Sequence, residues 1–135
     1  MKLEDIIRCV GINPLYNAKN GDEYGMCNGY IYIPWSEEVS KIAIEGEELY
    51  PFEFRVSVHG GLTYGDVGPY AISDSHCPYS KILSLEEYTK KYIVIGWDTN
   101  HLDDNDTKWN YRTVIAENEN LAEQILEVIN ARLKA

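Results

Sequence analysis

Positive charge is what this chain has least of. Twelve Lys and Arg face 22 Asp and Glu, giving a formal net charge of -10 and a pI of about 4.6. The densest basic point, Lys90-Lys91, sits beside Glu86 and Glu87. Such a surface repels a nucleic-acid backbone, so polymeric DNA or RNA is not an expected partner. A small anionic ligand stays admissible, because glycine turns and a few arginines can hold phosphate inside an acidic protein. Cysteine is also scarce. Cys9, Cys27 and Cys77 are odd in number and not closely spaced, with no C-x-x-C, so no disulfide framework is expected, and Cys9 reads as a core residue. No apolar run approaches membrane-spanning length. The opening Met1-Lys2-Leu3-Glu4-Asp5 lacks the basic head and apolar run of a signal peptide. The expectation is a soluble, intracellular protein with no membrane contact. Neither nucleotide-binding glycine fingerprint occurs, nor G-x-S-x-G, nor H-E-x-x-H. Asp103-x-Asn105 begins like a calcium loop, but Lys108 and Val114 stand where that loop needs glycine and glutamate, which excludes an EF-hand.

What is present is tyrosine, 11 against 2 Phe. Tyrosine suits a half-buried sheet, and a wet aromatic surface for a ligand or partner subunit is the sharper alternative. With 135 residues, 44% of them hydrophobic, the chain supports one domain spanning 1–135 with one real core.

Residues 3–10 place Leu3, Ile6, Ile7 and Val10 on one helical face, and Gly11 ends that predicted helix. Residues 11–28 read as a loop, with turns at Asn13-Pro14 and Asn20-Gly21-Asp22. Gly29 to Pro34 alternates and predicts a strand. Ser36 caps a short helix that turns Val39, Ile42 and Ala43 inward. Phe52 to His59 has the cleanest period of two, with Phe54, Val56 and Val58 on one face and Arg55, Ser57 and His59 on the other. Gly60-Gly61 bends the chain and Leu62-Thr63-Tyr64 restarts a strand. Residues 65–80 read as a mobile loop, a lid over the site. A capping box at Ser84 starts a short helix to about Lys91, and Tyr92 to Trp97 forms a buried strand. Tyr111 to Ile115 predicts a further strand. A second capping box at Asn120 opens the last helix, carrying Leu121, Ile125, Val128, Ile129 and Leu133 on one side. The fold class is α+β, a mostly antiparallel sheet with the C-terminal helix packed on one face.

Polar groups of the kind chemistry uses collect at two strand ends. One supplies His59, Gly60, Gly61 and Thr63, the other Asp98, Asn100, His101, Asp103 and Asp104. Where those ends meet, His59, Asp98 and His101 can act as an acid, a base and an orienting carboxylate. Alternatively they hold a divalent metal ion, with Asp103 as a further ligand. Asp103, Asp104 and Asp106 read first as a solvated acidic loop. Gly60-Gly61 reads as a bend needing positive φ, with an anion-binding nest as the alternative. Cys77 beside His76 is a thin case for a nucleophile, since sequence adjacency rarely gives catalytic geometry.

Four blocks stand in one order: "GYIYIP", "VSVHGGLTY", "YIVIGWDTNHLDD" and "ENENLAEQI". Together they resemble a family of small uncharacterised phage and prophage proteins, over the stretch from about Gly29 to the end. The family pattern has G-Y-V-x-V-P, V-H-G-G-L-T-[FY], W-I-G-F-D-x-x-H-x-x-D and L-A-E-Q. Its polar positions fall on His59, Gly60, Gly61, Thr63, Asp98, His101 and Asp103. Trp97 stands where the family has Phe. The resemblance implies a phage-derived accessory protein in the cytoplasm of an infected or lysogenic bacterial host, and implies no particular activity.

Three functions fit these observations. The first is a binding protein, compatible with a homo-oligomer, that captures a small polar or nucleotide-like ligand and so sequesters an immune signal. Arg55 or Arg112 and the Gly60-Gly61 amides would hold phosphate, Thr63 would line the pocket, and Trp97 would stack on a base. The second is a hydrolase acting on a phosphoester through His59, Asp98 and His101. The third is an acidic inhibitor docking on a host defence protein.

Overall fold

The computed structural model describes residues 1–16, 23–77 and 83–134. Four antiparallel strands form one sheet in the order β1-β2-β4-β3: β1 is Ile7–Ile12, β2 Cys27–Pro34, β3 Tyr64–Tyr70 and β4 Tyr92–Trp97. The helices are α1 (Glu37–Ile44), α2 (Leu85–Thr89) and α3 (Tyr111–Leu133). Strand alternation sorts the side chains into two layers. Ile31, Ile33, Ile93, Ile95 and Trp97 face α1 and α3, where they meet Val39, Ile42, Val114, Leu121, Ile125 and Ile129 in the main core. Tyr32, Tyr92, Val94 and Cys9 face the other way in a smaller cluster. The fold is the expected α+β domain, with its antiparallel sheet and its C-terminal helix packed on one face. Among the described residues, no helix is long and apolar enough to cross a membrane.

The expected strand Gly29 to Pro34 lies within β2, and Tyr92 to Trp97 is β4. Ser36 caps α1 by accepting from the Val39 amide, and Ser84 and Glu87 form their capping box at α2. Four expectations are corrected. The first segment is a short 3-10 turn, Leu3–Asp5, followed by β1, because Ile7 to Ile12 finds a full ladder on β2. Residues 53–55 form a 3-10 turn instead of a strand, and Phe54 is left 73% exposed. The driver is Arg55, whose guanidinium donates to the Ile42 and Ala43 carbonyls at 2.7 and 2.9 Å and so caps α1. Residues 65–70 of the expected lid belong to edge strand β3, disguised by Gly65, Gly68 and Pro69. Finally, Tyr111 to Ile115 is the first turn of α3, capped by Asn110. The expected turn at 20–22 and the end of the expected lid at 78–80 lie outside the described residues.

The cysteine expectation is also corrected. Cys9 and Cys77 form a disulfide, their Cα atoms 4.8 Å apart across a sequence separation of 68, and Cys27 is free and buried.

Candidate metal centre

β4 leaves the middle of the sheet at Trp97 and runs into a tight turn. Asp98 opens it by accepting from the Asn100 amide at 3.2 Å. The Asp104 amide donates to the His101 carbonyl at 3.0 Å, and the His101 amide returns a bond to Asp104 Oδ2 at 2.9 Å. Asp103 takes the left-handed conformation this closure needs, with φ 69°. Asp104 is thereby pulled inward, its side chain 4% exposed.

The His-Gly-Gly turn is brought over this loop from the other side. The Gly61 amide donates to the Val58 carbonyl, and the Thr63 amide to Gly96 at the end of β4, both at 2.9 Å. Gly60 and Gly61 have φ 69° and 81°, so the bend reading of the pair is the observed one. Glu117 of α3 accepts from the His59 amide at 3.0 Å. The His59 ring stacks on Trp109 with centroids 4.1 Å apart, and its edge meets His101 at 5.3 Å.

His59 Nε2 lies 2.8 and 3.0 Å from the two Asp104 oxygens. His101 Nε2 is buried and has no hydrogen-bond partner among the described residues. Asp98 Oδ1 lies 3.1 Å from that nitrogen, without hydrogen-bond geometry. One ligand atom each from His59, His101 and Asp104 falls within a 4.8 Å span. Two imidazoles and a carboxylate so gathered suit a transition metal such as zinc or iron. Three protein ligands leave a position for water. Both imidazole side chains remain partly exposed, at 26% and 33%.

The turn carrying His59, which follows no strand, therefore meets the end of β4, and His59, Asp98 and His101 come together. Asp103 does not join them. It is an exposed turn residue, and Asp104, which read as solvated loop, takes its place. The sequence signal for Asp104 is its spacing three residues after His101, which lets one carboxylate accept the backbone amide and face both rings. Arg55 lies at α1, held by Glu48 at 2.8 Å through both Nε and Nη2. Arg112 is exposed on the first turn of α3. Trp97 is 1% exposed and its indole N–H donates to Asn118 at 2.8 Å, so its ring is closed to a stacking base. Thr63 lines a cleft of about 320 Å³ with Tyr50, Tyr64, Asp66 and Tyr70.

Comparison with protein-family models, with curated proteins and with solved structures returned no match for this chain.

Proposed function

We propose that the protein binds one divalent transition-metal ion through His59, His101 and Asp104 and hydrolyses a small polar substrate there. The observation that carries this reading is the buried His101 Nε2, without a hydrogen-bond partner among the described residues, beside the His59–Asp104 pair. An unsatisfied buried polar atom costs about 1–3 kcal/mol, and a metal ion is the partner that two imidazoles and a carboxylate would share. A bound ion of this kind lowers the pKa of its water to about 7 and polarises a phosphoryl or carbonyl oxygen. Asp98 stands next to His101 as the candidate proton acceptor. A phosphoester fits as substrate because the ion supplies the positive charge that Arg55, committed to Glu48, does not.

Elemental mass spectrometry of the purified, untagged protein tests this directly. The expected result is about one equivalent of a transition metal, falling below about one tenth in the His59→Ala/His101→Ala double variant. A wild type devoid of metal after dialysis against zinc, manganese or iron(II) would remove the proposal.

The second reading is capture of a small polar or nucleotide-like ligand without turnover. The tyrosine-lined cleft beside Thr63 favours it. Release of an unchanged ligand on denaturation would distinguish it from hydrolysis.

A further inference from the structure

The sheet face turned away from α1 and α3 holds a second group of interacting side chains. Its buried members are Cys9, Tyr32, Ile72, Tyr92 and Val94. Residues 72–77 lie over it, ending in the 3-10 turn Asp74–His76. The turn sits directly on β1: a Cβ at Gly11 would lie 3.2 and 3.3 Å from the Ser75 and His76 carbonyl oxygens. The Ser73 amide donates to Tyr32 Oη at 3.3 Å. The Tyr32 hydroxyl in turn pairs with His76 Nδ1. Burial pushes the Tyr32 phenol up to about 12 and pushes His76 down, so both groups are held in their neutral forms. The His76 ring stacks flat on Tyr30, with centroids 3.9 Å apart and planes 6° from parallel.

Among the described residues, the Ile72 side chain, two hydrogen bonds and the contacts of the His76 ring with Tyr30, Tyr32 and Tyr64 hold this segment of six residues. The one covalent link is the Cys9–Cys77 bond. Ordering six backbone residues opposes those contacts, and the disulfide offsets that entropy. Its two ends differ in access, since Cys9 is fully buried and Cys77 is half-buried. The main core lies across the sheet and uses none of these residues.

We propose that the Cys9–Cys77 disulfide is a redox-sensitive clip: a dithiol reductant opens it, and residues 72–77 then leave the outer sheet face and uncover Tyr30, Tyr32 and Tyr92. A thiolate of the dithiol attacks Cys77 Sγ, forming a mixed disulfide, and Cys9 departs as a thiolate and takes a proton. The dithiol's second sulfur then attacks its own mixed-disulfide sulfur, and Cys77 leaves and is protonated. The protein gains two electrons and two protons, and the dithiol is oxidised to its disulfide. The metal reading plays no part in this proposal.

Thiol alkylation combined with amide hydrogen exchange tests it on the full chain. Aerobically purified protein is expected to show one alkylatable thiol after denaturation, Cys27, rising to three once dithiothreitol is added. On reduction, exchange at the Ser73, His76 and Cys77 amides should accelerate by about tenfold or more and approach the unprotected rate, while the β1, β2 and β4 amides stay protected by about a hundredfold or more. The Cys9→Ala/Cys77→Ala variant should match the reduced protein. Three thiols in the aerobic protein would overturn the proposal, as would unchanged exchange at 72–77 after reduction. Loss of protection throughout the sheet, in the reduced protein and the double variant alike, would overturn it too, by making the bond a staple of the whole fold.

Discussion

A methyl group at Gly60 would fall on the imidazole of His101. The same residue has φ 69°, where a Cβ costs about 1–2 kcal/mol. Both effects act at the turn that carries His59, and neither reaches the main core. Gly60→Ala is therefore expected to leave a folded protein that has lost about tenfold or more in metal affinity, because His101 can no longer reach the ion. Gly61 is the internal control. Its φ of 81° makes alanine costly too, but nothing lies within 4 Å of the added carbon. Metal titration followed by calorimetry, with circular dichroism to confirm folding, compares the two. Equal affinity in Gly60→Ala and wild type would show that His101 is not a ligand. At this scale His59, Asp98 and His101 were legible because they end period-two or buried runs. Asp104 was not, since its burial is created by the backbone turn through Asp103, and four acidic or amide residues in a row resemble a solvated loop.

At the scale of elements, α3 begins about ten residues before its clearest apolar stripe. Asn110 accepts from the Arg112 and Thr113 amides at 3.0 and 3.3 Å, and the Asn110 amide donates to Thr113 Oγ1 at 2.9 Å. Val114, Asn118, Leu121, Ala122, Ile125 and Ile129 then share the buried face. Asn118 hides this periodicity, because a polar residue occupies a core position. It accepts from Trp97 and donates to the Cys9 carbonyl at 2.7 Å, so it is satisfied where it is buried. The run Thr113-Val114-Ile115 adds β-branched residues, which read as a strand in isolation, and tertiary packing overrides that preference. β1 and β3 were missed for related reasons. β1 is six residues whose partner lies elsewhere in the chain, and β3 carries glycine and proline that an edge strand tolerates. The capping residues separate the two accounts of α3. Asn110→Ala is expected to cost about 1 kcal/mol of stability, whereas Asn120→Ala, now mid-helix and exposed, should be neutral or gain a few tenths. Urea unfolding of the two variants reads this, and the reverse order of costs would place the helix start at Asn120.

For the whole molecule, the sheet divides the protein into a large aliphatic core under α1 and α3 and a small tyrosine-rich cluster behind it. A disulfide closing a loop of this length contributes about 4 kcal/mol in the chain-entropy account. The back cluster also ties stability to pH. Burial holds His76 below its ordinary 6.5, so as pH falls the unfolded chain takes up that proton first. The His76 contribution is therefore intact above 6.5 and is lost as pH drops through the depressed folded value. Tyr32 works in the opposite sense. Its folded value is raised from 10.0 to about 12, so its contribution is intact below 10 and is lost as pH rises through 12. The rings facing His76 are Tyr30, Tyr32 and Tyr64, and none of them brings a carboxylate to steady an imidazolium. His76→Asn removes the titration while keeping a polar side chain that can hydrogen-bond the Tyr32 hydroxyl. Every other residue is common to both proteins and cancels in the comparison. In urea titrations from pH 7.5 down to 5, the wild type should lose stability more steeply than His76→Asn. Parallel curves across that window would mean that the back cluster does not hold His76 neutral.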